Sequence, residues 1–335
     1  MTGLITPAGY SSALSIHETQ IAIKTVKDFF QNLLAERLNL QRVSAPLFVR
    51  PSSGLNDNLN GVERPVRFDI RETGRNAEVV HSLAKWKRYA LDKYGFAPGE
   101  GIYTDMVAIR RDEDTDNLHS LYVDQWDWEK IITREERTTA KLREVVTEVY
   151  KVLRLTEKYM AICYDYIEEI LPKDIFFITT SELEAMYPDK TPKEREYIIC
   201  KEKRAVCLMQ IGDKLANGEP HDGRAPDYDD WKLNCDILFY YPVLDCAFEI
   251  SSMGIRVDAK SLREQLEKAG CEERARLPFQ KAILEDRLPL TVGGGIGQSR
   301  ICMFFLRKAH IGEVHSSIWP DEMIEVCRKN NIYLL

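Results

Sequence analysis

Runs of residues typical of β-strands crowd the second half of this 335-residue chain. They occupy residues 175–179, 205–211, 236–241 and 248–257. Strands that follow one another in this way are typical of an α+β fold. The chain contains no internal repeat, no low-complexity tract and no clear linker. We therefore expect a single domain over residues 1–335, built on a mainly antiparallel sheet.

Two capping boxes predict where long helices begin. The first is Ser-x-x-Glu at residues 15–18, and apolar residues follow it at steps of three and four as far as Leu38. This spacing predicts a helix of about six turns. The second is Thr-x-x-Glu at residues 133–136, before a periodic region that stops near Pro172.

The remaining elements follow from composition and alternation. Residues 51–61 (PSSGLNDNLNG) have the composition of a loop. Residues 117–128 are predicted to be a strand with Gln125 and Asp127 on one face. A glycine cluster at 293–297 is predicted to lead into an apolar helix at 300–306.

Composition excludes several classes of protein. No apolar run approaches the roughly 18 residues that a membrane-spanning helix needs, and no signal peptide is recognisable. The net charge of −7, without a basic tract, argues against a protein that holds long nucleic acid. The eight cysteines lack the spacing of a metal site. We expect reduced thiols in a cytoplasmic protein that binds neither membrane nor nucleic acid.

Two clusters place charge beside a predicted strand. Residues 109–114 (IRRDED) form a mixed-charge loop that leads into the strand carrying Gln125 and Asp127. Such a hairpin can hold a guanidinium over a phosphate while the strand presents polar groups to a small ligand. Residues 224–231 (RAPDYDDW) contain three carboxylates that repel one another unless a cation compensates them. Taken alone, each cluster is equally compatible with a solvated turn.

Two further clusters could bind a metal ion or a phosphate. The run that contains Asp236 and Glu249 carries carboxylates suited to a divalent metal, although an edge strand is an equal alternative. Residues 293–300 (GGGIGQSR) place glycines before a helix, where the backbone can approach a phosphate or a base. Gln298 stands where a dinucleotide fingerprint would have its last glycine, so the motif alone is weak.

The order of these clusters resembles the three motifs of class II aminoacyl-tRNA synthetases. A closer resemblance, to the ammonia-dependent, AMP-forming asparagine synthetases, covers nearly the entire chain. It is carried by Asp57-Asn-Leu, Gly99-Glu-Gly and longer runs at 79–88, 123–129, 224–231, 248–258 and 293–300. Uninterrupted runs of this length, in this order, are specific to that family.

The resemblance implies a class II synthetase-like core, with an antiparallel sheet flanked by helices, and a homodimer with residues 38–46 at its interface. It also implies a two-step reaction. The β-carboxylate of L-aspartate attacks the α-phosphate of ATP, which gives β-aspartyl-adenylate and pyrophosphate. Ammonia then attacks the acyl carbon and releases asparagine and AMP. ATP is a substrate in this scheme and Mg²⁺ a cofactor.

The resemblance also suggests roles for particular residues. Arg110 and Arg300 would neutralise the phosphates, and His119, Ser252 and Gly295 would complete the ATP site with Glu249. Glu249 and Asp236 would bind the metal ion, with Asp236 the less certain ligand. The residues expected to hold aspartate are Ser82 and Lys87 for its α-carboxylate, and Gln125 and Asp127 for its α-ammonium. Asp57 and Asp229 would lie near its side chain and bind ammonium.

Two assignments stay open. Either Asp57 or Asp229 could accept the proton that ammonium must lose. Arg111 competes with Arg110 for the α-phosphate, because Arg111 directly precedes the acidic triplet.

Three other functions are disfavoured. A tRNA ligase would need an anticodon-binding module ahead of the first helix. A glutamine-dependent synthetase would need cysteine after Met1, where Thr2 stands. A regulatory paralogue would have lost Arg110, Glu249 or Arg300.

Overall fold

The computed structural model describes residues 3–59 and 63–335, and its frame is a large mixed sheet. The strands in chain order are β1 (Leu40–Arg42), β2 (Phe48–Val49), β3 (Arg67–Ile70), β4 (Arg75–Val79), β5 (Gly101–Ile109), β6 (Tyr122–Ile131), β7 (Phe176–Thr179), β8 (Ala205–Met209), β9 (Asp229–Tyr241), β10 (Cys246–Arg256) and β11 (Thr291–Gly297). Eight of them form one sheet in the order β1-β5-β6-β11-β10-β9-β8-β7.

This sheet is antiparallel everywhere except at its two edges. The pairs β1–β5 and β7–β8 are parallel, and every pair between them is antiparallel. The mainly antiparallel sheet expected from the sequence is therefore confirmed. The remaining strands form a small sheet in the order β2-β4-β3.

The helices are α1 (Ile16–Leu38), α2 (Ala84–Tyr94), α3 (Thr139–Cys163), α4 (Thr180–Met186), α5 (Pro192–Lys203), α6 (Ala259–Lys268), α7 (Pro278–Leu284), α8 (Gln298–Phe305) and α9 (Asp321–Lys329). The predicted first helix is confirmed, with Ser15 and Glu18 forming a complete capping box. No helix in the described part of the chain is both long and apolar enough to cross a bilayer.

The two faces of the large sheet have different partners. Helices α1, α3 and α8 bury one face, where Trp126, Trp128 and Ile296 are fully enclosed. Because side chains alternate along a strand, Gln125 and Asp127 lie on the opposite face. That face is only partly covered, by α2 and by loops. The alternation along β6 thus separates a packed core from a polar surface.

Three local predictions differ from the structure. The box at residues 133–136 forms only one of its bonds, from Thr133 N to Glu136, and α3 instead begins after the capping residue Thr138. Helix α3 ends at Cys163, short of Pro172. The strand predicted from residue 117 begins at Tyr122, because the preceding residues form a turn.

The loop predicted over residues 51–61 is mainly irregular in its described part. It contains one short 3₁₀ turn at Pro51–Ser53, while Asn60 and Gly61 lie outside the described residues.

The glycine cluster leads into a helix, as predicted, and it also forms strand β11 in the middle of the sheet. Helix α8 begins at Gln298, immediately after it. Glycine usually weakens the interior of a strand. We therefore expect neighbouring side chains to occupy the space that larger residues would need here.

Residues near both chain ends are bonded to the segment after α8. The hydroxyl of Tyr10 donates to Glu313 at 2.9 Å, and Lys308 Nζ donates to Ser12 Oγ at 2.6 Å. From the other end, Leu335 N donates to Gly312 O at 2.8 Å. The segment 308–313 therefore joins residues that are far apart in sequence.

Candidate active site

A cavity of about 450 Å³ opens on the polar face of the large sheet. It contains every residue expected at the site except Asp236: Asp57, Ser82, Lys87, Arg110, His119, Gln125, Asp127, Asp229, Glu249, Ser252, Gly295 and Arg300. Its volume lies in the range typical of small-molecule sites. The structure therefore brings these residues together, while the role of each remains a prediction.

The floor of the cavity contains a buried amine among carboxylates. Lys87, from α2, donates to the carbonyl of Gly294 at 3.0 Å and lies 3.5 Å from Asp127 Oδ1. Burial lowers the pKa of Lys87, although Asp127 and Glu129 oppose this effect. The other oxygen of Asp127 accepts from Leu83 N at 3.0 Å. A cation and an anion are thus fixed side by side, as a zwitterionic amino acid requires.

Behind this pair, Arg256 links two buried carboxylates. Its guanidinium donates to Glu129 Oε2 at 2.7 Å and also contacts Asp229. Glu129 accepts a further bond from Thr291 Oγ1 at 2.6 Å. Burial raises the pKa of Asp229, while Arg256 opposes that rise. Asp229 is therefore already compensated by a cation within the protein.

A second carboxylate reaches the cavity from the loop after β2. Asp57 Oδ2 accepts from Ser82 Oγ at 2.8 Å, and its Oδ1 accepts from Leu59 N at 2.8 Å. Burial raises the pKa of Tyr228, and the charges of Asp57 and Asp229 add to this effect. Both carboxylates therefore raise the pKa of the same tyrosine, which lies at one end of the cavity.

Strand β11 is glycine-rich because polar side chains of β6 and β10 occupy the space above it. A Cβ added at Gly295 would lie 2.5 Å from Gln125 Oε1 and 2.8 Å from Asp127 Oδ1. At Gly293, an added Cβ would overlap Glu129. The absence of side chains on β11 therefore leaves room for the polar side chains of the site.

The opposite end of the cavity is lined by guanidinium groups. Arg110 lies 3.8 Å from Glu113, and no described residue forms a hydrogen bond with its buried Nε. Arg300, on α8, donates to the carbonyl of Glu249 at 3.0 Å. Arg111 is exposed and does not line the cavity. The geometry therefore favours Arg110 over Arg111 as the residue that contacts a ligand.

His119 lines the same end of the cavity. Its Nδ1 lies 2.9 Å from Asp116 Oδ1, which fixes the orientation of the ring. Apolar side chains of Leu118, Val123 and Ile311 lie beside it. This end thus combines cations with an apolar surface, which suits a nucleotide.

Glu249 and Asp236 were expected to bind a metal ion. Burial would raise the pKa of Glu249, but Arg300, Arg224 and Lys193 together lower it. Asp236 contacts Arg224, and burial raises the pKa of Asp236 to about 6. Its Oδ1 is buried and has no hydrogen-bond partner.

These two carboxylates fit a divalent ion only in part. Among the described residues, no group of three or more His, Cys, Asp or Glu side chains is arranged to hold a metal. Mg²⁺ is usually held by one or two carboxylates together with phosphate oxygens of a substrate. The oxygen donors of Glu249 and the unpartnered Oδ1 of Asp236 fit that arrangement, with Asp236 set back against Arg224.

The sequence did not assign roles to three charged residues that build the site. Arg224 reaches Asp236, while Arg256 and Glu129 form the buried pair on the floor. Glu129 and Arg256 are separated by 127 positions. Arg256, at the end of the mainly apolar strand β10, was the clearest signal in the sequence, but a charge in a strand does not reveal its partner.

Known proteins are similar to this chain over its full length. A family model described as aspartate-ammonia ligase matches residues 17–331. The chain is 63% identical to the aspartate–ammonia ligase of Ruminiclostridium cellulolyticum over 336 residues, with 100% of both chains covered. It is 61% identical to that of Bacillus cytotoxicus, with 97% of this chain and 99% of the relative covered.

Solved structures with the same fold are synthetases. An Entamoeba histolytica asparaginyl-tRNA synthetase in complex with asparaginyl-adenylate aligns with a TM-score of 0.64 and 11% identity, covering 90% of this chain and 66% of that one. A Pyrococcus horikoshii asparaginyl-tRNA synthetase complexed with asparaginyl-adenylate gives 0.61 and 14%, with 90% and 70% covered. The chain spans about two thirds of their length. The expected class II synthetase-like fold is confirmed.

Proposed function

The chain belongs to the aspartate–ammonia ligase family, and on this premise we propose that it uses ATP to join ammonia to the β-carboxylate of L-aspartate. The products are L-asparagine, AMP and pyrophosphate. The observation that carries the proposal is a single cavity with two chemically different ends. One end presents Lys87 beside Asp127, and the other presents Arg110 and Arg300.

Aspartate binds at the floor, where its two α-substituents meet fixed charges. Lys87 and Ser82 receive the α-carboxylate, while Gln125 and Asp127 receive the α-ammonium. The existing bond from Leu83 N holds Asp127, and the carbonyl of Gly294 holds Lys87, so neither has to be reoriented. Preorganised charges of this kind lower the cost of orienting a substrate.

Adenylation takes place where the β-carboxylate meets the α-phosphate. Arg110 and Arg300 neutralise the charge that develops on the phosphoryl oxygens, and His119, Ser252 and Gly295 complete the nucleotide site. Glu249 and Asp236 would hold Mg²⁺, which would offset phosphate charge. The unpartnered Nε of Arg110 supports this role, because a phosphate oxygen can satisfy it.

Ammonia attacks the acyl carbon after ammonium has lost a proton. We assign the proton acceptor to Asp57 and not to Asp229. Among the described residues, the Asp57 carboxylate accepts bonds from a serine hydroxyl and a backbone amide and is paired with no cation, so its charge can attract ammonium. Asp229 is paired with Arg256, which removes much of that attraction. Asp229 instead holds Arg256 in place at the floor of the cavity.

The proposal extends to a homodimer in the cytoplasm. Strand β1 forms an edge of the sheet, and Leu47, which follows it, is 47% exposed. Both features suit the interface that the family resemblance places at residues 38–46. The eight free thiols suit a reducing compartment. Sedimentation of the wild type and of Leu47→Glu tests the dimer, which the charge should weaken.

Product analysis tests the reaction itself. The protein is incubated with ATP, L-aspartate and ammonium, and nucleotides and amino acids are separated. We expect AMP, pyrophosphate and asparagine in equal amounts. Formation of ADP, or a requirement for glutamine in place of ammonium, would overturn the proposal.

A further inference from the structure

A buried ion pair lies outside the cavity lining, directly behind the loop that carries Asp57. Lys85 Nζ, on α2, donates to Asp227 Oδ2 at 2.7 Å. The two side chains are 1% and 0% exposed. Gln280, on α7, donates to the same oxygen at 2.7 Å. Neither Lys85 nor Asp227 touches the cavity, so neither can contact a substrate held there.

Lys85 also holds the peptide group next to Asp57. Its Nζ donates to the carbonyl of Asn56 at 3.0 Å. The N–H of the same peptide group, which belongs to Asp57, donates to the Asn56 side chain at 3.0 Å. That side chain also accepts from His81 N at 2.9 Å. Both ends of the peptide bond before Asp57 are therefore fixed.

Asp227 belongs to the second loop at this end of the cavity. Tyr228, which lines the cavity, follows Asp227 directly, and Asp229 follows Tyr228. Through one ammonium group, Lys85 therefore joins the loop that carries Asp57 to the loop that carries Asp229. Lys85 is 142 positions from Asp227 and 29 positions from Asn56, so the link joins two loops that are far apart in sequence.

Stability alone is a poor explanation for this pair. Removing two charges from water costs more than their attraction returns unless every polar atom is satisfied. Here Oδ1 of Asp227 is buried without a hydrogen-bond partner among the described residues, and so is Oε1 of Gln280. Apolar residues of similar size would fill the same space without that cost. What apolar residues cannot do is hold the Asn56 carbonyl at a fixed point.

We propose that Lys85 and Asp227 are positioning residues for the ammonia step, which keep Asp57 at a fixed distance from the loop that carries Tyr228 and Asp229. This inference rests on the proposed function, because it concerns one half of that reaction. Adenylation depends on groups at the opposite end of the cavity, around Arg110, and is not expected to need this link.

The test replaces both charges together, as Lys85→Met with Asp227→Leu. Two rates are measured: aspartate-dependent ATP–pyrophosphate exchange, and asparagine formation at varied ammonium concentration. We expect exchange to stay within about threefold of the wild type. The kcat/KM for ammonium should fall by about tenfold or more, because a misplaced reacting group is costly. Unfolding midpoints show whether the fold is retained.

Lys85→Gln with Asp227→Asn is the second variant, for use if the first double variant does not fold. It removes both charges together and shortens the side chain that reaches the Asn56 carbonyl, and it should give the same selective loss. Glu157→Gln is the matched control. It breaks another buried pair, with Arg307, whose atoms lie 3.0 Å apart and outside the cavity lining. It should lower stability without changing the ratio of the two rates.

An unchanged kcat/KM for ammonium would overturn the inference, and so would equal losses in both rates. A wild type that shows no aspartate-dependent exchange would instead refute the proposed function. The two failures are therefore distinguishable.

Discussion

Arg256 contacts Asp229 directly, so one of the two carboxylates proposed to lie near the side chain of bound aspartate is already paired with a cation of the protein. The Asp57 carboxylate, by contrast, accepts bonds from Ser82 Oγ and Leu59 N, and no cation in the described part of the chain pairs with it. The sequence alone did not distinguish these two residues. Their different surroundings lead to different expectations for the variants Asp57→Asn and Asp229→Asn.

Asp57→Asn should impair the ammonia step selectively. Without the carboxylate, ammonium loses both its attraction and its proton acceptor, so asparagine formation should fall by about 100-fold or more. ATP–pyrophosphate exchange should change by only a few fold. Parallel assays of the two rates check this expectation, and an equal loss in both would contradict it.

Asp229→Asn should impair both steps and the fold. It leaves Arg256 short of one anion in a buried site, which costs about 3 kcal/mol or more of unfolding free energy. Denaturant unfolding measures the loss. A stable variant that retains exchange and loses only asparagine formation would restore Asp229 as the proton acceptor.

The adjacent arginines of the β5–β6 hairpin should behave differently. Arg110→Ala removes a cavity group and should cost about 2–4 kcal/mol of transition-state stabilisation, seen as a fall in exchange rate of about 30- to 900-fold. Arg111→Ala, at an exposed position, is the matched control and should retain most of the rate. The reverse order would transfer the phosphate role to Arg111.

Glu249→Gln should weaken the response to magnesium. The amide is a poorer ligand for Mg²⁺, so the concentration needed for half-maximal exchange should rise by about tenfold or more. Magnesium titration after treatment with a chelator measures this concentration. Glu325→Gln, at an exposed position on α9, should leave the titration unchanged. Identical curves for all three proteins would exclude Glu249 as a ligand.

Gly293→Ala should disrupt the floor of the cavity. The added methyl group overlaps Glu129 and crowds Arg256, so the buried pair must move. We expect loss of exchange activity together with a lower unfolding midpoint. Gly218→Ala is the control, since it adds strain at φ +88° but meets no atom within 4 Å. Its cost should be about 1–2 kcal/mol without loss of activity.

Acid should destabilise the fold partly through His310. Burial lowers the pKa of His310 from 6.5 to about 4, although Asp116 opposes this. Below about pH 6.5 the imidazole of His310 binds a proton in the unfolded chain but not in the folded one. The contribution of His310 to the free energy of unfolding is therefore complete above pH 6.5 and is lost as the pH falls toward 4. Between pH 7 and 5 the loss should be about 2 kcal/mol.

His310→Gln should flatten that pH dependence, while its oxygen can still accept the bond that Gly312 N now donates at 2.9 Å to Nδ1. Unfolding free energies at several pH values give the slope. His17→Gln, at an exposed position, should leave the slope unchanged. A His310→Gln slope equal to that of the wild type would remove His310 from this explanation.

Local signals predicted the elements that depend on neighbours in sequence. Helix α1 is an example, because its cap and its apolar stripe lie within residues 15–38. The box at 133–136 carries the same kind of signal, yet Thr138 caps α3 instead. The choice between two nearby caps depends on how the helix packs against the sheet, which a short motif does not contain.

The site was less predictable wherever one side chain depends on a distant one. The cavity residues were found through motifs, but the reason for glycine at 293 is the carboxylate of Glu129 on the next strand. Asp236 remains a proposed metal ligand, but its spacing from other charged residues did not predict that it contacts Arg224, twelve positions away in sequence. Spacing along a chain does not predict which charges meet across a sheet.

The bonds that join residues 10, 12 and 335 to segment 308–313 have a practical consequence. That segment also contributes Ile311 to the nucleotide end of the cavity. An affinity tag or a deletion at either terminus therefore acts close to the catalytic machinery, however remote it looks in sequence. For expression and labelling, an exposed turn such as the one around Gly74 is a safer attachment point than either end.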